Sequence, residues 1–439
     1  MKLYNELKLR FNEPLWALTP ELALFDVILE RKPELVKLFA EDIQNGLKNN
    51  KMGRKDSPTV EQILRAAVYK EIKQLDYREL EISMYDSNTF KLFMKLDGRN
   101  PFKFTVLQKY ISKISKESLT KLIVEINKTA IVEGIETVES VSTDTTTVET
   151  NIHHPTNNSL IWDCIRTATN LLKKYKKEKK DDDDIKRLQE RQSKAKRLNY
   201  LINNTKKDDQ PSLFDTYLAI LLDVITEMET FINTCQGGHV QSAASLLPVA
   251  KKVYENAYKF QIKGEKVENS EKIFSIHEQH SDILVKGIRN VEFGHKVLIT
   301  RGKSNLILDF SIEKGNPNDS TLFIPTTEQV INNYTIIPTN SSADGGFASA
   351  ANLAWAKLKG MTNVVFTKIT KSMKNIAESA EVELLLKKWR GGTEAVISNL
   401  KRGFGLQRVT WEGYERFQAK VAWSVLGYNL RVVCNRLLS

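Results

Sequence analysis

Residues 142–157 read STDTTTVETNIHHPTN. With the residues just before them they form ETVESVSTDTTTVETN, from Glu136 to Asn151, a run dense in Thr and Val. β-branched side chains fit a pleated strand better than a helix. Everything from Leu15 to about Ala130 carries apolar residues at helical spacing instead, so this run is where an all-helical chain becomes an α/β one. Strands disfavour Asp, yet Asp144 stands inside the threonines. A carboxylate there is either a capped turn or a group held out for chemistry.

Before that strand, PELALFDVILERKPELVKLFAEDIQNGL reads as helix, and KNNKMGRKDSP as a polar, basic break. SPTVEQILRAAVYKEIKQL opens on Ser57 and Pro58, a cap and first-turn pair. Shorter helices follow to about Ala130. Their tight turns suit a helix-turn-helix arrangement as well as an ordinary helical bundle. After the strand, residues 159–264 return to helix and read as an insertion. Its KKYKKEKKDDDD run is expected to be a solvated helix face rather than a metal site, because a run without fixed geometry rarely holds an ion. VEFGHKVLITRG and NLILDFSIEKGNP, joined by GKS, predict an antiparallel hairpin. Helix over NDSTLFIPTTEQVINN, strand into loop over YTIIPTNSSADGGFAS, helix over ASAANLAWAKLKG and strand over TNVVFT come next. Two long helices, one with a glycine pair inside it, close the chain.

The 439 residues carry a formal charge of +11. For a soluble chain this favours a polyanionic partner, nucleic acid before membrane. Cys164, Cys235 and Cys434 are far apart and show neither zinc spacing nor a disulfide framework, which suits a reducing, cytoplasmic compartment. Neither a signal peptide nor a membrane-spanning run is read from the sequence.

Three carboxylates sit in separate elements. Asp144 is on the first strand, Asp344 follows a later strand in SSADGGFAS, and Glu394 is in the helix KKWRGGTEAVISNLKRGFG. Phosphoryl transfer with two divalent metals needs hard oxygen ligands converging in this way. Arg390 and Lys401, four residues before Glu394 and seven after, share its helix face and could hold phosphates. The glycine pair Gly391–Gly392 costs roughly 1 kcal/mol per residue in a helix, so it calls for a close approach, by DNA or by a neighbouring strand. Beside it Trp389 is a candidate to stack on an unpaired base or to anchor the core. His295 and Lys296 are candidate phosphate contacts. Glu149, His153 and His154 could orient the site or touch DNA, and Asp163 could support it. Asp309 and Asp319 rank below Asp344, the first lying inside an apolar strand and the second resembling a helix cap.

These blocks resemble the bacterial insertion-sequence DDE transposases, more narrowly the ISNCY-type group. The likeness rests on STDTTTVETNIHHPTNNSLIWD, on VEFGHKVLIT and NLILDFSIEKGNPNDS with ADGGFAS, and on KKWRGGTEAVISNLKRGFGLQR. SPTVEQILRAAVYKEIKQLDYRELEISMYDSNTFKLF is similar to the helical leader domain of such enzymes, so the resemblance covers nearly the whole chain. Its most specific element is Arg-x3-Glu-x6-Lys. The resemblance implies an α/β fold with a ribonuclease-H-like mixed sheet. A helical DNA-binding domain over 1–132, a core over 133–158 and 265–439, and the helical insertion would make up the chain. It also implies Asp144, Asp344 and Glu394 as catalytic, metal-binding carboxylates for two Mg²⁺ ions, with Mn²⁺ tolerated. Expected partners are the element's terminal repeats and target DNA, bound by a homodimer in the bacterial cytoplasm at the nucleoid. The expected activity is cleavage at the element ends followed by strand transfer. A DNA-binding regulator or inactive relic with the same fold stays open as the alternative. Lys387 stands where the broader signature has a tyrosine, so that tyrosine's DNA contact is not carried over to this chain.

Overall fold

The computed structural model describes residues 19–45, 57–179, 181–286, 290–370 and 372–438. The basic break expected at 48–58 lies, up to residue 56, outside them. Seven helices come first: α1 (Pro20–Arg31), α2 (Glu34–Gln44), α3 (Val60–Lys73), α4 (Tyr77–Asp86), α5 (Asn88–Phe93), α6 (Phe104–Ile111) and α7 (Lys116–Val132). Strand β1 (Ser140–Thr150) follows, then α8 (Asn157–Lys179), α9 (Asp182–Asn204), α10 (Gln210–Thr234) and α11 (Gly238–Gln261). Strands β2 (Asp282–Lys286), β3 (Asn290–Arg301) and β4 (Ile307–Glu313) lead to α12 (Phe323–Tyr334), β5 (Asn340–Ala343), α13 (Ala350–Leu358) and β6 (Asn363–Phe366). Helix α14 (Ala380–Gly403), the two-residue β7 (Arg408–Val409) and α15 (Tyr414–Leu438) complete the chain.

The sheet is mixed. β1 pairs antiparallel with β3 and parallel with β5. β3 pairs antiparallel with β4, forming the expected hairpin, and β5 pairs parallel with β6. β2 also lies beside β3, and β7 beside β1. Three antiparallel strands continued by two parallel ones, with helices on both faces, make this a ribonuclease-H-like core. The hairpin turn is built around Glu136. Its buried carboxylate accepts the N–H groups of Val138, Lys303 and Ser304, and a Cβ at Gly302 would come within 2.4 Å of it.

Contacts divide the chain into two compact units, Met1–Glu149 with Gly294–Ser439, and Thr150–Phe293. In the first, one apolar core runs from α1–α7 through α15 to Val148, Val297 and Ile299 on one face of the sheet. Helices α12 and α13 cover the other face, where Phe323 and Leu353 share a cluster with Phe366 of β6. Helix α3 is buried along its whole middle, from Gln62 to Ile72, so it is the hub of the N-terminal helices and offers no face for reading DNA. Capping boxes start both α3, at Thr59, and α4, at Asp76. In the second unit α8–α11 pack around Ile161, Ile165, Tyr217, Leu221 and Val249. The aspartate run begins α9: Asp181 caps it, and Asp182–Asp184 fill its first turn, where the helix dipole favours negative charge.

Candidate active site

Asp144 is held by the alternation of β1. Ser142 and Asp144 point to the face covered by α14, while Thr143 points to the other and bonds Thr300 across the strands at 2.9 Å. The Thr145 N–H donates to Asp144 Oδ1 at 2.8 Å, which fixes the carboxylate's orientation.

Helix α14 lies on that face. Its carbonyl at Leu386 accepts the Ser342 hydroxyl of β5 at 2.9 Å, and the Thr393 hydroxyl donates to Ser142 Oγ at 2.7 Å. Between them is the glycine pair, and its two members differ. A Cβ at Gly392 would meet the Arg301 guanidinium at 2.5 Å, whereas Gly391 faces open space. The close approach expected at the pair is therefore made by a side chain of the neighbouring strand β3. Arg301 is fully buried, lies 4.3 Å over the Trp389 ring and donates from Nε to Thr393 Oγ1 at 3.0 Å. Burial lowers its pKa to about 10, so it remains a cation at neutral pH.

Arg390 reaches all three carboxylates. Its Nη2 lies 3.0 Å from Asp144 Oδ2, 2.8 Å from Glu394 Oε1 and 3.9 Å from Asp344 Oδ1. Burial raises the Asp144 carboxyl to about 6, against the opposing pull of Arg390 and the Thr145 N–H and with the help of the neighbouring Asp344 and Glu394 charges. Asp344 goes the other way. Burial pushes it up, but the Thr367 hydroxyl at 2.8 Å, the Gly345 N–H and Arg390 outweigh this and hold it below the usual carboxylate range. Carboxylates from a strand, a strand end and a helix are the hard oxygen donors that divalent cations take, so the residue types fit such an ion. In this arrangement the guanidinium lies among them, and among the described residues no group of three or more Asp, Glu, His or Cys is gathered to hold a metal.

Residues 286–430, which include Asp344, Arg390, Glu394 and Lys401, match the family described as transposase DDE domain. This stretch of the chain is similar to a transposase DDE domain. No curated protein and no solved structure matches it. Asp144 lies outside the matched stretch and joins the DDE domain through the pairing of β1 with β3.

Other residues of the DDE domain go elsewhere. His295 is fully buried against the rings of Tyr414 and Phe417, at 5.2 and 5.0 Å between centroids. Lys296 donates to the Pro317 carbonyl at 2.6 Å and to Asp319 at 2.8 Å, tying down the loop before α12. Asp319 is thereby an ion-pair partner. Asp309 sits opposite Thr300 and so on the face of the sheet away from Asp144. Lys401 is half-buried in the last turn of α14, and Lys387 pairs with Glu383 at 2.6 Å. Upstream of the family match, Glu149 accepts from Arg408 Nε at 2.9 Å. In the second unit His153 lies 3.4 Å from Asp163, and His154 sits edge-on to Phe293. Sequence reasoning missed Arg301, Thr393 and Thr367. The clue for the first two was the glycine pair itself: the nearest neighbour of Gly392 is Arg301, far away in the chain. Among the described residues no helix is long and apolar enough to cross a membrane.

Proposed function

We propose that the chain is an insertion-sequence transposase that cleaves DNA at the element ends and joins the freed ends to target DNA. Asp144, Asp344 and Glu394 serve as its carboxylate triad. The observation that carries this reading is Arg390, whose one guanidinium nitrogen lies within 4 Å of carboxylates on β1, at the end of β5 and on α14. Such convergence from separate elements suits a centre for charge-rich phosphoryl chemistry better than it suits a surface ion pair.

In the first reaction a water oxygen bonds to the scissile phosphorus and the bond to the 3′ oxygen breaks, leaving a 3′ hydroxyl. In the second, that hydroxyl attacks a target phosphodiester, exchanging one P–O bond for another. Mg²⁺ or Mn²⁺, held by the three carboxylates, would supply Lewis-acid stabilisation of the charge on the phosphoryl oxygens. The chain's own part is orientation. Thr145 and Thr367 fix the two aspartates, and Arg390 ties Asp144 to Glu394. Positive charge is concentrated in the last third of the chain. Residues 294–439 hold 19 Lys and Arg against 11 Asp and Glu, whereas residues 1–149 hold 23 of each. DNA phosphates are thus held chiefly by the core, with Lys401 among the contacts, and a homodimer brings two ends together.

The test is Mg²⁺- or Mn²⁺-dependent cleavage of the DNA flanking the chain's own gene, comparing wild type with Asp344→Asn. End-specific nicking by wild type alone is expected. Binding without cutting by both proteins would replace the transposase with a DNA-binding regulator. Equal cutting by both would overturn the triad.

A further inference from the structure

We propose that Arg301 is a positioning residue, a clamp that sets the glutamate helix against the strand bearing Asp144. The inference rests on the transposase reading of that site. Arg301 leaves the end of β3 beneath α14, where its guanidinium makes one set of contacts with the helix. Nε donates to Thr393 Oγ1 at 3.0 Å, Nη2 to the Trp389 carbonyl, and the plane lies 4.3 Å over the Trp389 indole. Nη1 reaches back to Asn305 Oδ1 at 2.7 Å, anchoring the guanidinium to its own hairpin turn. Thr393 passes the contact on, donating to Ser142 Oγ at 2.7 Å. Three elements, β3, α14 and β1, are thus joined through one threonine hydroxyl.

The placement of that join matters. Ser142 is two residues before Asp144 on the same face of β1. Thr393 adjoins Glu394 and is three residues after Arg390. A helix rises about 1.5 Å and turns about 100° per residue, so a slip of α14 by one residue would carry both Arg390 and Glu394 away from Asp144. Gly392 is what allows the clamp to close, since any side chain there meets the guanidinium at 2.5 Å. A buried arginine held by neutral acceptors is a poor device for stability alone. Its geometric specificity is better suited to fixing one register.

The test is a double-mutant cycle in the full-length chain with Gly392→Ala, Arg301→Ala and the pair, using Gly391→Ala as control. Initial cleavage rates of the element-end duplex with Mg²⁺ are read against DNA concentration, and urea midpoints are read in parallel. Gly392→Ala and Arg301→Ala are each expected to lower kcat about 10- to 100-fold with little change in KM. The double variant should be no worse than Arg301→Ala, and Gly391→Ala should cleave at the wild-type rate with no loss of stability. Thr393→Ser, which keeps the hydroxyl, should retain most of the rate that Thr393→Val loses. Defects that multiply in the double variant, or a Gly392→Ala protein with wild-type kcat, would overturn the clamp. If wild type itself fails to cut, the transposase reading falls. The contact is then decided by the urea cycle alone, with non-additive midpoints upholding it and additive ones overturning it.

Discussion

Replacing Arg390 by Gln removes the cation shared by the three carboxylates, and the consequence depends on pH in a way that the Asp144 environment sets. Its carboxyl is raised to about 6 with Arg390 present. A carboxyl raised above its unfolded value contributes fully to stability below about pH 4, and that contribution is lost as pH rises through the folded value. Taking about 3.9 for the unfolded chain and about 1.4 kcal/mol per unit, burial of Asp144 costs the wild type about 3 kcal/mol at pH 7. Without Arg390 the folded value climbs further, so the loss continues to higher pH. The cost cannot exceed that of protonating an ordinary carboxyl, about 4 kcal/mol at pH 7. Through Asp144, then, Arg390→Gln destabilises by at most about 1 kcal/mol at pH 7 and about 3 kcal/mol at pH 8. At pH 5 both proteins carry the proton, and the difference falls to the Arg390–Glu394 pair, worth up to about 1 kcal/mol because Glu394 is largely exposed. Urea unfolding at pH 5, 7 and 8 in EDTA measures this. A gap that is constant across the three, or widest at pH 5, would refute the reasoning.

Asp309 offers a second pH test away from the site. Burial raises it to about 7, so its contribution is lost as pH rises from about 4 through 7, and Asp309→Asn should gain on wild type by about 2 to 3 kcal/mol between pH 5 and pH 8; parallel stability curves would contradict this. Gly391→Ala fills open space on a helix and should stabilise by up to about 1 kcal/mol. Gly302→Ala drives a Cβ to 2.4 Å from the Glu136 carboxylate and should destabilise by about 1 to 3 kcal/mol; thermal melts of the two should shift in opposite directions.

Much of the architecture is legible in the residues because it is written in local periodicity. The Thr and Val run at 136–151 became β1, and the VLITRG and NLILDF runs became the β3–β4 hairpin. The four-residue spacing of Arg390 and Glu394 became an observed ion pair, since 3.6 residues per turn is a property of any helix. The aspartate run at 181–184 opened a helix because charge at that end opposes the backbone dipole.

Other features belong to contacts between residues far apart in the chain, and no window of sequence contains them. His295 and Lys296 look alike as polar residues on a strand, but α15 closes over the first and the loop at Pro317 and Asp319 takes the second. Asp309 and Asp144 are separated by strand register, since a cross-strand pair shares a face and the next residue takes the other. Arg301 reads as an ordinary basic residue beside a turn until α14 is laid over it. By itself the sequence determined which elements form and which carboxylates they carry, because helix and strand periods act over a few residues. The tertiary structure alone decided that Arg390 would stand among three of those carboxylates and Arg301 beneath a glycine, because burial, register and side-chain reach depend on which distant segments pack together.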